Sequence, residues 1–161
     1  MLIVEDFGDK VFGPEVQRGA DQKSLWLRAT DVLITLQAVP PPQNMNLSDG
    51  TAFTLPGADQ GVLEIETQLL LDWYWPALHG HPAPKTARDE FTDEWHRTFT
   101  RVLKQPQTWL LRDYHSPNLI ALDDRAPPRD VGIIDFQDAM RGPAAYDLVS
   151  LLQDARIDVP E

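Results

Sequence analysis

Residues 110–140 read LLRDYHSPNLIALDDRAPPRDVGIIDFQDAM, and this stretch decides the predicted fold. Two apolar runs each end in a carboxylate: Asp113 follows WLLR, and Asp135 follows VGII. An amide side chain, Asn118, comes five residues after the first acid. Short apolar runs between turn-rich loops are typical of β-strands. We therefore expect two acids and an amide at the ends of neighbouring strands.

The strands predicted here are TWLL, NLIAL and VGIID, and the last two should form a hairpin across the loop DDRAPPRD. Strand ends that face a shared loop region are common places for a functional site. One carboxylate can accept a proton from a hydroxyl group, while the other, with an amide oxygen, can bind Mg²⁺. Phosphoryl transfer needs both roles, because it requires an oriented nucleophile and a metal that neutralises phosphate charge.

Bulk composition narrows the class of protein. The chain has 161 residues, a net charge of −11 and no cysteine. One domain over residues 1–161 is expected from this length, and disulfides and thiolate metal sites are excluded. The acidic balance argues against nucleic-acid binding. No apolar run reaches the roughly 20 residues that span a bilayer, and the acidic N-terminus does not resemble a signal peptide, so a cytoplasmic protein without membrane contact is expected.

Periodic apolar residues predict a mostly helical remainder and hence an α+β fold. The helices are expected over about residues 22–38, 62–75, 86–103 and 145–155. Asp21 should cap the first helix, and Thr86 with Asp89 should form a capping box on the third. Pro76 should end the second helix.

Other parts of the chain give weaker signals. Residues 2–4 read as a strand that runs into a glycine-containing turn. Residues 39–61 are rich in Pro, Gly, Asn, Asp and Ser and should form a long loop, either functional or partly disordered. The aromatic run at 73–75 is expected in the core, with a sugar-stacking surface as the alternative. The pair His79 and His81 is expected in an exposed loop rather than at a metal.

Two motifs resemble a known family. LRDYHSPN resembles the catalytic loop of the kinase-like superfamily, in which an asparagine follows an aspartate by five residues, and IIDFQD resembles its metal-binding segment. The run from Trp109 to Arg156 resembles the aminoglycoside phosphotransferase and choline kinase-like small-molecule kinases, with the bacterial kinases of cell-wall amino sugars as the nearest branch. The resemblance implies the C-terminal lobe of a protein kinase-like fold, in which a short β-hairpin within residues 108–138 carries the catalytic and metal loops.

The resemblance also implies a function and residue roles. It implies transfer of phosphate from ATP, with Mg²⁺, to a hydroxyl of a small molecule such as an amino sugar or aminoglycoside. Asp113 matches the catalytic base, and Asn118 and Asp135 match metal ligands. Asp147 matches an acid that buttresses the catalytic loop. His115 matches a position often held by histidine, with a structural or substrate-adjacent role.

Two further matches concern the nucleotide and the acceptor. LIVEDFGD, within residues 1–9, resembles the linker between the two kinase lobes, so the backbone at Val4, Glu5 and Asp6 is expected to contact adenine. Glu66 is expected to help shape the sugar pocket.

The sequence departs from the family pattern in three places. Leu111 stands where protein kinases have histidine, and Gln137 replaces the glycine of Asp-Phe-Gly. No glycine-rich loop precedes the linker. Lys10 follows the linker and therefore does not match the strand lysine of the family. This predicts that the N-terminal lobe is absent, that the chain alone binds ATP poorly, and that the exposed lobe face promotes self-association. An inactive fragment or sugar-binding module, and a metal-dependent phosphohydrolase, stay open as alternatives.

Overall fold

A computed structural model describes residues 4–160, and these combine helices with small antiparallel sheets. The helices are α1 (Phe12–Gln17), α2 (Gln22–Gln37), α3 (Gln60–Leu69), α4 (Trp75–His79), α5 (Lys85–Val102) and α6 (Ala145–Leu152). The strands are β1 (Asn44–Asn46), β2 (Ala52–Thr54), β3 (Gln107–Leu110), β4 (Leu119–Ala121), β5 (Val131–Ile133) and β6 (Met140–Pro143). A π-helical turn, Leu70–Tyr74, joins α3 to α4, and a 3₁₀ turn covers Ser116–Asn118. The predicted α+β class is confirmed.

Two strand pairs set the positions of the acids. β4 and β5 form the predicted hairpin, with Leu119 opposite Ile133. β3 pairs with β6, so that Leu110 lies opposite Met140. The sequence did not predict β6, because its residues MRGP include glycine and proline, which are depleted in strands. Long-range pairing with β3 therefore overrides local preference.

The core lies where α1, α2 and α6 meet the β4–β5 hairpin. Its most buried side chains include Phe12, Ala29, Leu33, Tyr114, Leu119 and Leu151. The Tyr114 hydroxyl donates to the carbonyl of Ala29 at 2.9 Å, and the indole N–H of Trp26 donates to the carbonyl of Leu151 at 3.0 Å. Both polar atoms are thus satisfied inside the core, as buried polar groups require.

The first helices agree only in part with the sequence. α2 begins at Gln22 as predicted, and the carboxylate of Asp21 accepts the amide of Lys23 at 3.1 Å. α1 was not predicted, because Gly13 and Pro14 indicate a turn; proline is nevertheless tolerated in the first turn of a helix. The strand predicted at residues 2–4 lies outside the described residues, apart from Val4, which has no regular structure.

The segment 39–61 is more ordered than a plain loop. It contains the β1–β2 hairpin, in which Asn44 lies opposite Thr54. The carboxylate of Asp49 accepts the amide and the hydroxyl of Thr51, at 2.9 and 2.6 Å, and Gly50 has a φ of 84°. The turn chemistry of NLSDGT therefore forms a hairpin that the long-loop prediction missed.

The prediction that Pro76 ends the second helix is wrong. The helical backbone continues from α3 through the π-helical turn into α4, and Pro76 lies in the first turn of α4. The helix ends instead at Gly80, whose φ is 71°. Trp73 and Tyr74 are 74% and 62% exposed, so their predicted place in the core is also wrong.

The capping box predicted for α5 does not form. This helix begins at Lys85 after Pro84, which leaves Thr86 inside the helix. Asp89 instead accepts a hydrogen bond from the ammonium of Lys85 at 2.6 Å. Among the helices of the described part of the chain, none is both long and apolar enough to cross a membrane.

Gly142 offers a test of the β3–β6 pairing. A β-carbon there would lie 2.2 Å from Cδ1 of the buried Leu110, so that one of the two strands or the leucine side chain must shift. We expect Gly142→Ala to lower the free energy of unfolding by about 1–3 kcal/mol. Urea denaturation measures this change.

Gly57→Ala is the matched control. A β-carbon at Gly57 would lie 3.5 Å from the guanidinium of Arg141, which is ordinary contact. It should leave stability unchanged or slightly raised, because alanine reduces the freedom of the unfolded chain. Equal effects of the two substitutions would contradict the β3–β6 packing.

Candidate active site

Residues 111–118 form the loop that carries Asp113 from the end of β3 to the start of β4. The loop is closed by its own hydrogen bonds. The amide of His115 donates to the carbonyl of Asp113 at 3.1 Å, and the amide of Asn118 donates to the carbonyl of His115 at 2.9 Å. The side-chain Nδ2 of Asn118 also donates to the Asp113 carbonyl, at 3.0 Å. The amide oxygen of Asn118 takes no part in this hydrogen bond.

Asp147, on α6, supports the first half of this loop. Its two carboxylate oxygens accept the amides of Leu111 and Arg112, at 2.7 and 3.0 Å. Arg112 has a φ of 71°, a left-handed conformation that is unfavourable for a residue with a side chain. The sequence assigned Asp147 to support the catalytic loop, and the structure brings it to that backbone.

The electrostatics of Asp147 reflect its surroundings. Burial raises the pKa of its carboxyl to about 6, the two amide hydrogen bonds act in the opposite direction, and the charge of Asp113 raises it further. The loop therefore rests on a buried acid that ionises less readily than an exposed one.

Asp154 supports the second half of the loop, and the sequence did not single it out. Its carboxylate accepts the amide and the hydroxyl of Ser116, at 2.8 and 2.5 Å. Burial would raise the pKa of Asp154, but the hydrogen bonds from Ser116 and from the amide of Arg156 outweigh it and hold that pKa below its usual value. The available signal was an acid directly after the apolar stripe of the last helix.

Asp135 lies in a second loop next to the first. It follows β5, and the amide of Ile134 donates to the carbonyl of Asn118 at 3.1 Å, which brings the two loops together. Asp135 has a φ of 60°, and its exposed carboxylate accepts a hydrogen bond from the side chain of Gln137. A left-handed backbone at such a residue often marks a functional site.

The donor set on these loops fits Mg²⁺. Asn118 and Asp135 offer an amide oxygen and a carboxylate, the hard ligands that this ion prefers. Within residues 4–160, no three or more His, Cys, Asp or Glu side chains come together as a metal cluster. A magnesium ion shared with nucleotide phosphates needs only one or two protein ligands.

Glu66 lies beside the loop of Asp113. Its carboxylate accepts a hydrogen bond from the guanidinium of Arg112 at 2.8 Å. Burial, followed by the charge of Glu66, raises the pKa of Tyr146 to about 12. A mainly apolar cavity of about 540 Å³ opens next to this group, between α3, α5 and α6, and Leu63 and Phe99 help to line it. The sequence assigned Glu66 to a pocket but did not indicate the apolar residues of α5 and α6 that line this cavity.

The residues assigned to adenine lie near the loop that joins β4 to β5. Glu5 forms an ion pair with Arg125, in the loop that joins β4 to β5 at the end opposite Asn118. The carboxylate of Asp6 accepts the amide of Gly8 at 2.9 Å, and Val4 is exposed. Among the described residues, no hydrogen bond or ion pair connects them to the loop of Asp113.

The structure also locates the three histidines that the sequence analysis named. His115 is buried beside Asp113. His79 and His81 are exposed, with ring centres 6.0 Å apart.

The structure places Asp113, Asn118 and Asp135 on two adjoining loops, which the hydrogen bond from Ile134 to Asn118 joins.

Comparison with known proteins gives concordant matches. A model described as a phosphotransferase enzyme family matches residues 2–161. An N-acetylmuramate/N-acetylglucosamine kinase of Caulobacter vibrioides is 30% identical over 156 residues, which cover 97% of this chain and 42% of that protein. Proteins of the same name from Pseudomonas aeruginosa and Neisseria meningitidis are 32% and 29% identical, over 99% of this chain and 43% and 44% of their own lengths. The chain thus spans less than half the length of these relatives.

Asp147→Asn tests the support of the loop. Asparagine has the shape of the neutral carboxyl but cannot ionise, so we expect the variant and the unmodified chain to have similar free energies of unfolding near pH 4. The raised pKa of about 6 also means that the folded chain binds this proton more tightly than the unfolded chain. The stability that Asp147 contributes is therefore largest near pH 4 and is lost as the pH rises through about 6.

Urea denaturation at about pH 4 and pH 7 checks both effects. As the pH rises, the unmodified chain should lose stability relative to Asp147→Asn, because only the carboxyl ionises. Asp93→Asn, at an exposed acid of α5, is the control and should change neither quantity. A pH dependence that is identical in all three chains would contradict the buried-acid assignment.

Proposed function

Because this chain belongs to the phosphotransferase enzyme family, we propose that it supplies the catalytic and metal-binding part of a kinase that phosphorylates a hydroxyl of an amino sugar. The observation that carries the proposal is the grouping of Asp113, Asn118 and Asp135 on two adjoining loops. The substrate class comes from the relatives, whose names specify N-acetylmuramate and N-acetylglucosamine.

Asp113 is the proposed general base. Its side chain is 54% exposed, while the loop beneath it is fixed to α6, so it can approach a substrate without losing its position. The acceptor hydroxyl gives its proton to the Asp113 carboxylate as its oxygen forms a bond to the γ-phosphorus of ATP. The bond between that phosphorus and the bridging oxygen breaks, and ADP leaves with the electron pair. Alignment supplies much of the rate, because the transition state is loose.

Asn118 and Asp135 are the proposed ligands of Mg²⁺. Bound there, the ion would neutralise charge on the nucleotide phosphates. Gln137 holds one oxygen of Asp135 in the free chain, and its side chain can turn away when the ligand is needed. The backbone at Val4, Glu5 and Asp6 is the proposed contact for adenine.

The proposal also assigns parts of the fold. Residues 1–161 would form the large lobe of a kinase-like fold, with residues 1–9 as the inter-lobe linker and residues 108–138 as the catalytic segment. The acceptor sugar would lie near Glu66, since the Glu66–Arg112 ion pair adjoins the loop of Asp113. Carboxylates at such a place can accept hydrogen bonds from sugar hydroxyls.

The base is tested in a chimera, in which residues 1–161 replace the aligned segment of the Pseudomonas aeruginosa relative. We expect the chimera to release ADP with N-acetylmuramate or N-acetylglucosamine. Asp113→Asn should lower kcat by about 10²–10⁴-fold, because the acceptor proton loses its base. A coupled assay of ADP release over a panel of amino sugars and aminoglycosides measures this.

Asp93→Asn is again the control, since it removes the same charge far along α5 and should leave kcat unchanged. Turnover that survives Asp113→Asn would exclude the proposed base. A correctly folded chimera that is inactive on the whole panel would count against the proposed function. Phosphate release without an acceptor would indicate a phosphohydrolase instead.

Asp135→Asn tests the metal assignment. The loss of a charged oxygen ligand should raise the Mg²⁺ concentration for half-maximal rate by at least about tenfold, with little change in the KM for the sugar. Asp138→Asn removes the same charge three residues later in an exposed position and serves as the control. If both variants shift the Mg²⁺ dependence equally, the effect is general electrostatics and Asp135 is not the ligand.

A further inference from the structure

His115 has an unusual combination of burial and unmet hydrogen bonding. Its side chain is only 11% exposed, and its Nδ1 is buried with no hydrogen-bond partner in the described structure. Its other ring nitrogen, Nε2, lies 3.6 Å from Oδ1 of Asp113. Buried polar atoms are usually paired, so an unpaired one beside a candidate base needs an explanation.

The position of the ring is fixed by its neighbours. The phenol of Tyr114 is hydrogen-bonded inside the core, and Ser116 is held by Asp154 at two points. The backbone of His115 itself donates to Asp113 and accepts from Asn118. The ring therefore faces the Asp113 side chain from a backbone that is anchored on both sides.

Burial decides which nitrogen carries the proton of a neutral ring. A proton on Nδ1 would be a buried donor without an acceptor, which costs about 1–3 kcal/mol. A proton on Nε2 points toward the carboxylate of Asp113 and leaves only Nδ1 unpaired, as an acceptor. An unpaired buried acceptor is less costly than an unpaired buried donor. The surroundings therefore favour the Nε2–H form.

We propose that His115, through a proton on Nε2, is a positioning residue that holds Oδ1 of Asp113 and leaves Oδ2 free for the acceptor hydroxyl. The inference rests on the proposed function, because it takes Asp113 as the base. The gap of 3.6 Å exceeds a hydrogen bond, and such contacts often tighten only when substrate is bound. Within the described residues, the Asp113 carboxylate has no closer side-chain partner.

The tautomer is tested by NMR on the chain labelled with ¹⁵N-histidine, using long-range ¹H–¹⁵N correlations at neutral pH. His115→Gln assigns the signal by removing it. We expect His115 in the Nε2–H form, and we expect Asp113→Ala to shift its Nε2 resonance, whereas Asp93→Ala should not. A proton on Nδ1, or a resonance that ignores Asp113→Ala, would overturn the pairing.

A second measurement tests the positioning role in the chimera. The amide nitrogen of glutamine can reach the place of Nε2, whereas that of asparagine lies near the place of Nδ1. His115→Asn should therefore lower kcat by about 10–100-fold with little change in the KM for ATP, and His115→Gln should recover most of the rate. Circular dichroism checks that both variants fold.

The outcomes separate the two proposals. Equal rates for His115→Asn, His115→Gln and the unmodified chimera would overturn the positioning role, and so would equal losses in both variants. An unmodified chimera without turnover would count against the proposed function instead. In that case the NMR result still decides whether His115 pairs with Asp113.

Discussion

The two hydrogen bonds that Asp147 accepts from the amides of Leu111 and Arg112 determine the shape of the candidate site. A buried carboxylate is unfavourable unless its oxygens are paired, and here each oxygen takes one amide. These bonds hold Arg112 in a left-handed conformation, after which the chain turns Asp113 toward solvent and Tyr114 into the core. Without these two bonds, the amides of Leu111 and Arg112 would be unsatisfied, and nothing would offset the cost of the left-handed turn at Arg112.

Further hydrogen bonds hold the rest of the loop in the same way. Asp154 holds Ser116 from the segment after α6, and the Tyr114 hydroxyl fastens the loop to α2. The β4–β5 register then brings Asn118 against the loop of Asp135. The loops that carry the candidate site thus acquire rigidity from the buried acids behind them, as preorganised sites require.

Sequence reasoning succeeded where the signal was local. The cap at Asp21 and the alternating turn signals around β4 and β5 act over a few residues, so α2 and the hairpin were predicted correctly. It failed where contacts between distant parts of the chain determine the structure. β6 forms because it pairs with β3, and Trp73, which was predicted in the core, is exposed. In the site, spaced motifs indicated Asp113 and its partners, but Asp154 is a lone acid whose role depends on packing. The cavity beside Glu66 likewise follows from how three helices meet.

We propose above all that the loops of Asn118 and Asp135 form one metal site. Mn²⁺, a paramagnetic substitute for Mg²⁺, tests it directly, because even weak binding broadens nearby amide signals. Titrated into the ¹⁵N-labelled chain, it should broaden residues 113–119 and 134–137 first, and Asp135→Asn should abolish this selectivity. Broadening that begins at the acids of α5, or that Asp135→Asn leaves unchanged, would contradict the account.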